Sequence, residues 1–210
     1  MAEFDQEIAE LAARYGAPRR VDAPIHDGFF DPIHNPDRVG EVCMVVRRSN
    51  GKVLLSIKTF YPRGAYRLPT GGIRHGERIL DALLRETAEE TGLETQLRRF
   101  LAAIAYWPAG GSRGAKPPAP LFHTFAFLLD ETGGSLEARD EAELIEGYVE
   151  VDPAQLDEVA DRLEHVTSAA SVDIGGDWAD WGRFRAVVHR VVWERLSDER
   201  FTREERNRQP

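Results

Sequence analysis

The sequence predicts one α+β domain, built as a mixed β-sheet layered with helices. Two β-rich runs flank Ser-Asn-Gly at 49–51, which is a strong hairpin signal. A helical stretch follows, and then three more runs typical of strands, at 93–107, 120–130 and 144–151. Because strands and helices do not alternate regularly, a doubly wound parallel sheet is disfavoured. The 210 residues are enough for one well-buried core.

The N-terminal segment is expected to form an extension of this domain. Apolar residues recur at helical spacing over 4–15, and Gly16 is a suitable helix stop. Residues 17–38 are rich in Pro, Asp and Gly, with one short strand expected at 19–25. The predicted divisions of the chain are a helix and extension at 1–38, a main domain at 39–196 and a charged tail at 197–210.

Two further helices are predicted in the last third of the chain. Asp152 and Pro153 suit the N-cap and first position of a helix over 153–166, and a strongly periodic helix is expected at 178–196. Residues 108–120 are rich in Pro and Gly, so we expect them to lack regular structure and to be mobile. This segment is interpreted either as a substrate lid or as a hairpin loop.

The composition argues against several functional classes. The formal net charge of −9 disfavours broad nucleic-acid binding, which needs a basic face. The N-terminus lacks the pattern of a secretory signal, and no apolar run approaches the roughly 20 residues that cross a bilayer. The single cysteine, Cys43, cannot form an internal disulfide and lies in an apolar run. We therefore expect a buried thiol and a cytoplasmic protein without a membrane partner.

An acidic cluster lies on the helix predicted over 79–91. Glu86, Glu89 and Glu90 repel one another at this spacing, which costs a few tenths of a kcal/mol per pair. On a helical projection they fall beside an apolar stripe, so we expect the stripe to be buried and the carboxylates to lie on its rim. Carboxylates on a rigid element suit magnesium or manganese. The residues of the apolar stripe are Leu80, Leu83, Leu84, Thr87 and Thr91.

The residues around this helix complete a recognisable pattern. Gly71 and Gly72 allow the backbone to approach a ligand, Glu77 lies near the helix start, and Arg85 can pair with a carboxylate. The spacing resembles the Nudix box, G-x5-E-x7-R-E-U-x-E-E-x-G-U, where U is aliphatic. Of the two aliphatic positions, Leu93 conforms and Thr87 departs. The seven fixed positions are matched by Gly71, Glu77, Arg85, Glu86, Glu89, Glu90 and Gly92.

The resemblance implies a Nudix hydrolase, an α/β/α sandwich that cleaves a diphosphate linked to another moiety, X. In such enzymes Mg²⁺ or Mn²⁺, in two or more ions, bridges the diphosphate and activates water for attack on phosphorus. Glu89 is then a metal ligand or the base, Arg85 and Glu77 orient the carboxylates, and Gly92 is structural. The implied metal ligands are Glu86, Glu90, Glu89 and the Gly71 carbonyl.

Further site residues are expected outside the box. Members of the family often add a glutamate from a later loop, and among Glu141, Glu143 and Glu146 we favour Glu143 as the added catalytic residue. Arg67 is a candidate phosphate partner, although a solvated position on the surface is the more common one for such a residue. Tyr66 and Trp107 are candidates to stack on a nucleobase, although core packing is the commoner role of such residues.

The substrate class is a nucleoside diphosphate derivative: a nucleotide sugar, ADP-ribose, a dinucleotide or a (d)NTP. The moiety X and the identity of the base stay open, because selectivity resides in loops with no transferable pattern. One alternative is a non-catalytic Nudix-fold module that senses a nucleotide. Another is an isomerase-like enzyme for isoprenoid diphosphates, which would want a cysteine in the cleft. A homodimer is compatible with the extra N-terminal segment.

Overall fold

The centre of the molecule is a mixed seven-stranded β-sheet. The computed structural model describes residues 4–25, 30–33, 35–109 and 120–208, with side chains described as far as Asp198. The strands are β1 Arg19–Ile25, β2 Arg38–Arg47, β3 Val53–Lys58, β4 Thr70–Arg74, β5 Leu93–Pro108, β6 Phe122–Gly134 and β7 Ile145–Val151. Their order is β1-β5-β6-β2-β3-β7, and β4 pairs with β2 beside β3. β1 runs parallel to β5 and β2 parallel to β6, while the other pairs are antiparallel.

Helices cover both faces of this sheet, which confirms the predicted α/β/α sandwich. They are α1 Asp5–Tyr15, α2 Ile79–Thr91, α3 Leu156–Glu164 and α4 Trp178–Arg208. A two-residue hairpin, β8 Ala170–Ser171 with β9 Gly176–Asp177, precedes α4. Side chains of β2 alternate between the two cores: Val42 and Met44 pack with α1 and α2, and Cys43 packs with α3 and α4. Burial on both faces explains the continuous apolar run of β2.

The predicted N-terminal extension is physically continuous with the main sheet. β1 forms the edge next to β5, with Arg19 opposite Ala102 and Ile25 opposite Pro108. α1 contributes Phe4, Ile8 and Leu11 to the core that it shares with α2. The domain division at residue 38 stays a prediction.

Several predicted elements differ in their bounds. The helix expected over 153–166 begins as a 3₁₀ turn at Pro153–Gln155, with a capping box between Asp152 and Gln155, and continues as α3. α4 continues beyond the predicted end at residue 196, since no Gly or Pro interrupts the charged helix formers that follow. Most of the segment predicted as a lid or loop, residues 110–119, lies outside the described residues. In the described part of the chain, no helix is long and apolar enough to cross a membrane.

The orientation of α2 differs from the prediction. Leu84 is 51% exposed, whereas Glu86 and Glu90 are 6% and 1% exposed and face the sheet. The expectation that the carboxylates lie on the rim of a leucine stripe is therefore wrong for these two. The reason lies in the glycines of β4, because a Cβ at Gly71 would lie 2.0 Å from Glu86 Cδ. A strand without side chains at this point leaves space for carboxylates under the helix.

Candidate active site

Two glycines, one in β4 and one at the end of α2, position the acidic residues. Gly71 leaves the space that the Glu86 carboxylate fills, so its lack of a side chain is a steric requirement. At the other end of α2, Gly92 adopts a left-handed conformation with φ of 65°, and its N–H donates to the carbonyl of Ala88. A Cβ at Gly92 would lie 2.4 Å from the Glu137 carbonyl oxygen. Both glycines are thus needed to seat α2 in its observed position.

Arg85 joins the acidic residues to one another. Its Nε and Nη2 donate to the two carboxylate oxygens of Glu77, at 2.7 and 2.8 Å. Its Nη1 donates to Glu86 Oε1 at 2.6 Å and to Glu89 Oε2 at 3.0 Å, and Nη2 also reaches the Gly72 carbonyl at 2.9 Å. The predicted pairing of Arg85 with the carboxylates is confirmed. A planar guanidinium held by Glu77 restricts the rotamers of Glu86 and Glu89.

Three carboxylates converge at a cleft that Glu86, Glu90 and Glu143 help to line. Oxygens of Glu86, Glu89 and Glu143 all lie within 4.8 Å of one another. Glu143 comes from a 3₁₀ turn, Glu141–Glu143, whose N-cap Asp140 accepts from the Ala142 N–H. Glu141 and Glu146 are exposed, so Glu143 is the loop glutamate that joins the cluster.

Glu90 lies deeper and is the least satisfied of the acidic groups. It is 1% exposed, and neither of its carboxylate oxygens accepts a hydrogen bond from any described residue. Lys58 Nζ is 3.7 Å from Glu90 Oε1. Burial, with the charges of Glu143 and Glu86 adding to it, raises the pKa of Glu90 to about 7. A buried carboxylate without donors fits a site built for a cation.

The pKa values of the two neighbouring carboxylates, Glu86 and Glu143, are shifted in opposite directions. Burial raises the pKa of Glu86, and the Arg85 guanidinium opposes that rise. Burial also opposes ionisation of Glu143, but Lys58, at 2.8 Å from Glu143 Oε2, more than offsets it and lowers the pKa of Glu143. Lys58 thus keeps one member of the cluster ionised at neutral pH.

Basic side chains line the same cleft, which has a volume of about 180 Å³. Arg67 is 2% exposed, so the expected solvated surface position is wrong. Its Nε and Nη2 donate to Tyr61 Oη at 3.0 and 2.8 Å, and Nη1 donates to the Leu68 carbonyl at 2.8 Å. Backbone hydrogen bonds in both directions with Ser56 hold Arg67 against β3. The basic residues that line the cleft are Arg38, Lys58, Arg67 and Arg185.

Helix α4 supplies cleft residues that the sequence analysis missed. Trp181 and Arg185 line the cleft, and His189 Nε2 accepts from the Leu68 N–H at 2.9 Å. His189 Nδ1 donates to the Arg185 carbonyl at 2.7 Å, so the ring is a neutral tautomer with its proton on Nδ1. Burial lowers the pKa of His189 to about 3. The sequence contained a signal for this shared position, because residues 181, 185 and 189 are spaced four apart and therefore lie on one face of α4.

A model of the NUDIX domain matches residues 37–170 of the chain. The chain belongs to the Nudix family. An ADP-ribose pyrophosphatase of Methanocaldococcus jannaschii is 29% identical over 104 residues, covering 50% of this chain and 57% of that protein. An RNA pyrophosphohydrolase of Baumannia cicadellinicola is 38% identical over 66 residues, covering 31% and 40%.

The chain therefore spans less than two thirds of the length of these Nudix relatives. Among solved structures, that of a UDP-X diphosphatase has a TM-score of 0.47 at 14% identity, over 92% of this chain and 71% of that one. This likeness is too distant to bear on the substrate.

The Nudix box departs from the family pattern at Thr87, and the structure explains why this is tolerated. Thr87 is 3% exposed, and its Oγ1 donates to the Leu83 carbonyl at 2.6 Å. Thr91 makes the same contact with the Thr87 carbonyl at 2.5 Å. Both hydroxyls are satisfied within the helix, so Thr87 can replace an aliphatic residue without leaving an unpaired donor.

The two predicted stacking residues lie outside the carboxylate cleft of this Nudix domain. Tyr66 lines a neighbouring cavity. Trp107 lies near the end of β5, where its Nε1 donates to Asp22 Oδ1 of the edge strand β1 at 2.8 Å. Their expected roles in substrate binding stay predictions. Cys43 is fully buried in β2, as expected, and burial raises the pKa of its thiol well above the ordinary range.

Proposed function

We propose that the chain is a metal-dependent Nudix hydrolase that cleaves the diphosphate bond of a nucleoside diphosphate derivative by attack of water on phosphorus. The observation that carries the proposal is that both Glu90 oxygens lack a hydrogen bond from any described residue, although they are buried beside Glu86 and Glu143 in a cleft that arginines and a lysine also line. Carboxylates for cations and basic groups for phosphate oxygens are the two components that phosphoryl transfer requires.

The acidic residues fit Mg²⁺ or Mn²⁺. Glu86, Glu89 and Glu143 would hold a cation at the cleft, where their oxygens already converge. Glu90 and the Gly71 carbonyl would add ligands from the interior, and four carboxylates are enough for two or more ions. A divalent cation supplies charge neutralisation for the diphosphate and a lowered pKa for the attacking water.

The protein groups have separate tasks in this proposal. Arg85 holds Glu86 and Glu89 in position through its Nη1 contacts at 2.6 and 3.0 Å. Glu89 is the more exposed of these two carboxylates, so it can reach a water from solvent and act as the base. Lys58 and Arg67 would contact the diphosphate oxygens and stabilise the charge that develops on the leaving group.

The relatives support the substrate class in general terms. One is named an ADP-ribose pyrophosphatase and another an RNA pyrophosphohydrolase, and both names describe hydrolysis of a pyrophosphate in a nucleotide compound. The matched regions share the Nudix domain, whereas selectivity for X depends on loops that have no transferable pattern. We therefore propose the class and leave X to experiment.

The two alternative functions have less support. A sensing module does not need the complete set of carboxylates, and all of them are present here. An isomerase-like reaction would want an accessible cysteine, but Cys43 is fully buried in the core shared by the sheet, α3 and α4. A cytoplasmic location, a homodimer and the absence of a nucleic-acid partner stay predictions.

A panel of diphosphate compounds tests the proposal. ADP-ribose, nucleotide sugars, dinucleoside polyphosphates and (d)NTPs would be incubated with Mg²⁺, with Mn²⁺ and with EDTA, and product formation would be followed by chromatography. We expect at least one compound to be cleaved only with metal, and Glu86→Gln to abolish that cleavage. Absence of cleavage across the panel would favour the sensing module.

A further inference from the structure

The carboxylate cleft is too small for a whole nucleoside diphosphate derivative. Its volume is about 180 Å³, whereas sites for small molecules commonly occupy about 300 to 1,000 Å³. The cleft offers carboxylates and basic groups, which suit the diphosphate and its cations. The remainder of the substrate must therefore bind outside this cleft.

A larger cavity of about 690 Å³ adjoins it. Phe60 and Tyr61 line both spaces, so the cavity and the cleft share a wall. The cavity lies between the loop that joins β3 to β4 and the segment from the end of α3 to Trp178. Its position next to the diphosphate cleft and its volume both suit the nucleoside part of a substrate.

The lining of the cavity is aromatic and basic. Tyr66 is half-buried and lines this cavity but not the cleft. Phe60 and Tyr61 pack edge to face with ring centroids 5.0 Å apart, and Tyr61 packs in the same way on Trp178 at 5.8 Å. Contacts of this kind hold the rings of the lining in place.

The charged residues of the cavity also suit the nucleoside part of a substrate. Arg63, Arg162 and His165 lie at its exposed rim, and none of its described lining residues is acidic, although the whole chain has a net charge of −9. Hydrogen-bond donors at the rim suit the ring nitrogens and carbonyl oxygens of a base. A ligand that is planar and rich in acceptors matches both the rings and the donors.

We propose that this cavity binds the nucleobase of the substrate, with Tyr66 as the aromatic ring on which the base stacks. The proposal rests on the proposed function, because it assigns the nucleoside part of the same substrate. It also gives Tyr66, predicted from the sequence to stack on a base, a location in the fold.

Titration calorimetry with nucleoside monophosphates tests the proposal without any need for hydrolysis. AMP, GMP, CMP and UMP would be compared with ribose 5-phosphate, which carries the same sugar phosphate and no base. We expect at least one nucleotide to bind about tenfold or more tightly than ribose 5-phosphate, as one base–aromatic stack implies. Equal affinity for all five compounds, or no binding of any nucleotide, would overturn the proposal.

Four variants locate the binding site. Tyr66→Ala should weaken the best nucleotide about tenfold, and Tyr66→Phe, which retains the ring, should restore most of the affinity. Tyr15→Ala makes the same change on α1, outside both cavities, and should bind like the unaltered protein. Thermal melting checks that each variant folds. An unaltered affinity in Tyr66→Ala, or a loss in Trp107→Ala in its place, contradicts the assignment.

Hydrolysis separates failure of this inference from failure of the proposed function. If a diphosphate substrate is cleaved but Tyr66→Ala leaves its KM unaltered, the base site is wrong and the hydrolase assignment stands. If nucleotides bind as expected but no diphosphate is cleaved with Mg²⁺ or Mn²⁺, the hydrolase assignment fails and the base site stands.

Discussion

Two buried glutamates of this molecule have opposite surroundings. Glu41 in β2 is 1% exposed, and its oxygens accept from Arg185 Nη1 at 2.8 and 2.7 Å and from Thr124 Oγ1 at 2.8 Å. Glu90 on α2 is equally buried, but neither oxygen accepts a hydrogen bond from a described residue. Burial by itself therefore does not distinguish these two glutamates, whereas hydrogen bonding does: the protein satisfies Glu41 and leaves Glu90 without a hydrogen bond from a described residue.

The difference has an energetic basis. A buried charge is costly unless it is paired and hydrogen-bonded, so Glu41 is tolerated because Arg185 and Thr124 compensate it. The charges of Lys58, at 3.7 Å, and of Arg67 offset only part of the cost of burying Glu90. Glu90 therefore costs stability in the metal-free state, and under the proposed function a bound cation would recover that stability.

The largest expected effect is the loss of hydrolytic activity when Glu90 is replaced. Glu90→Gln removes a proposed ligand while preserving shape, so metal-dependent hydrolysis should fall by more than about a hundredfold. Glu141→Gln and Glu146→Gln are matched controls on an exposed stretch and should stay within about twofold. Initial rates at saturating Mg²⁺ measure the effect. Equal losses in Glu90→Gln and in the two controls would remove Glu90 from the site.

The same substitution should change stability with opposite sign at the two glutamates. Glu41→Gln leaves Arg185 buried without its partner, and we expect the free energy of unfolding to fall by about 3 kcal/mol. Glu90→Gln replaces an incompletely compensated carboxylate by a neutral amide, so the metal-free protein should be as stable as before or more stable. Urea denaturation in EDTA at pH 7.5 measures both. A Glu90→Gln variant destabilised as much as Glu41→Gln would refute the distinction.

A smaller effect is expected on the pH dependence of stability, to which His189 and Glu90 contribute with opposite signs. The pKa of His189 is about 3 in the folded protein against 6.5 when unfolded, so its contribution to stability is lost as the pH falls from 6.5 towards 3. The pKa of Glu90 is about 7 against 4.5, so its contribution is lost as the pH rises from 4.5 to 7. Each slope is about 1.4 kcal/mol per pH unit within its window.

Urea titrations of the metal-free protein between pH 5 and pH 7 separate these two contributions. Removing the titrating group in His189→Gln should make stability fall more steeply as the pH rises, because the opposing slope of His189 is gone. In Glu90→Gln stability should rise more steeply with pH, because only His189 remains of the pair. Parallel profiles for both variants and the unaltered protein would show that neither group is shifted.

The site could be predicted from the sequence to the extent that its residues are close along the chain. Glu77, Arg85, Glu86 and Glu89 lie within four turns of one another, and their contacts follow from the spacing of the box. The strands and helices followed from periodicity, with errors at their ends. The loop glutamate needed an added inference, because only the fold brings Glu143 to α2.

The predictions failed where a distant element decides the surroundings. A helical projection favoured burial of the leucines, but it could not include the glycine strand β4 that makes room for Glu86. Arg67 was expected in solvent because its neighbours in sequence do not reveal the pairing with Ser56 or the cover by Tyr61. Arg185 and His189 lie more than a hundred residues from their partners Glu41 and Leu68.

Manganese binding tests the central claim, that Glu90 and the neighbouring carboxylates form a cation site, most directly. Mn²⁺ would be titrated into the protein, and the free ion would be measured by electron paramagnetic resonance. We expect the unaltered protein to bind Mn²⁺, Glu90→Gln to bind it about tenfold or more weakly, and Glu41→Gln, at a temperature where it is folded, to bind it as tightly as the unaltered protein. Equal Mn²⁺ affinity in Glu90→Gln and the unaltered protein would contradict the account.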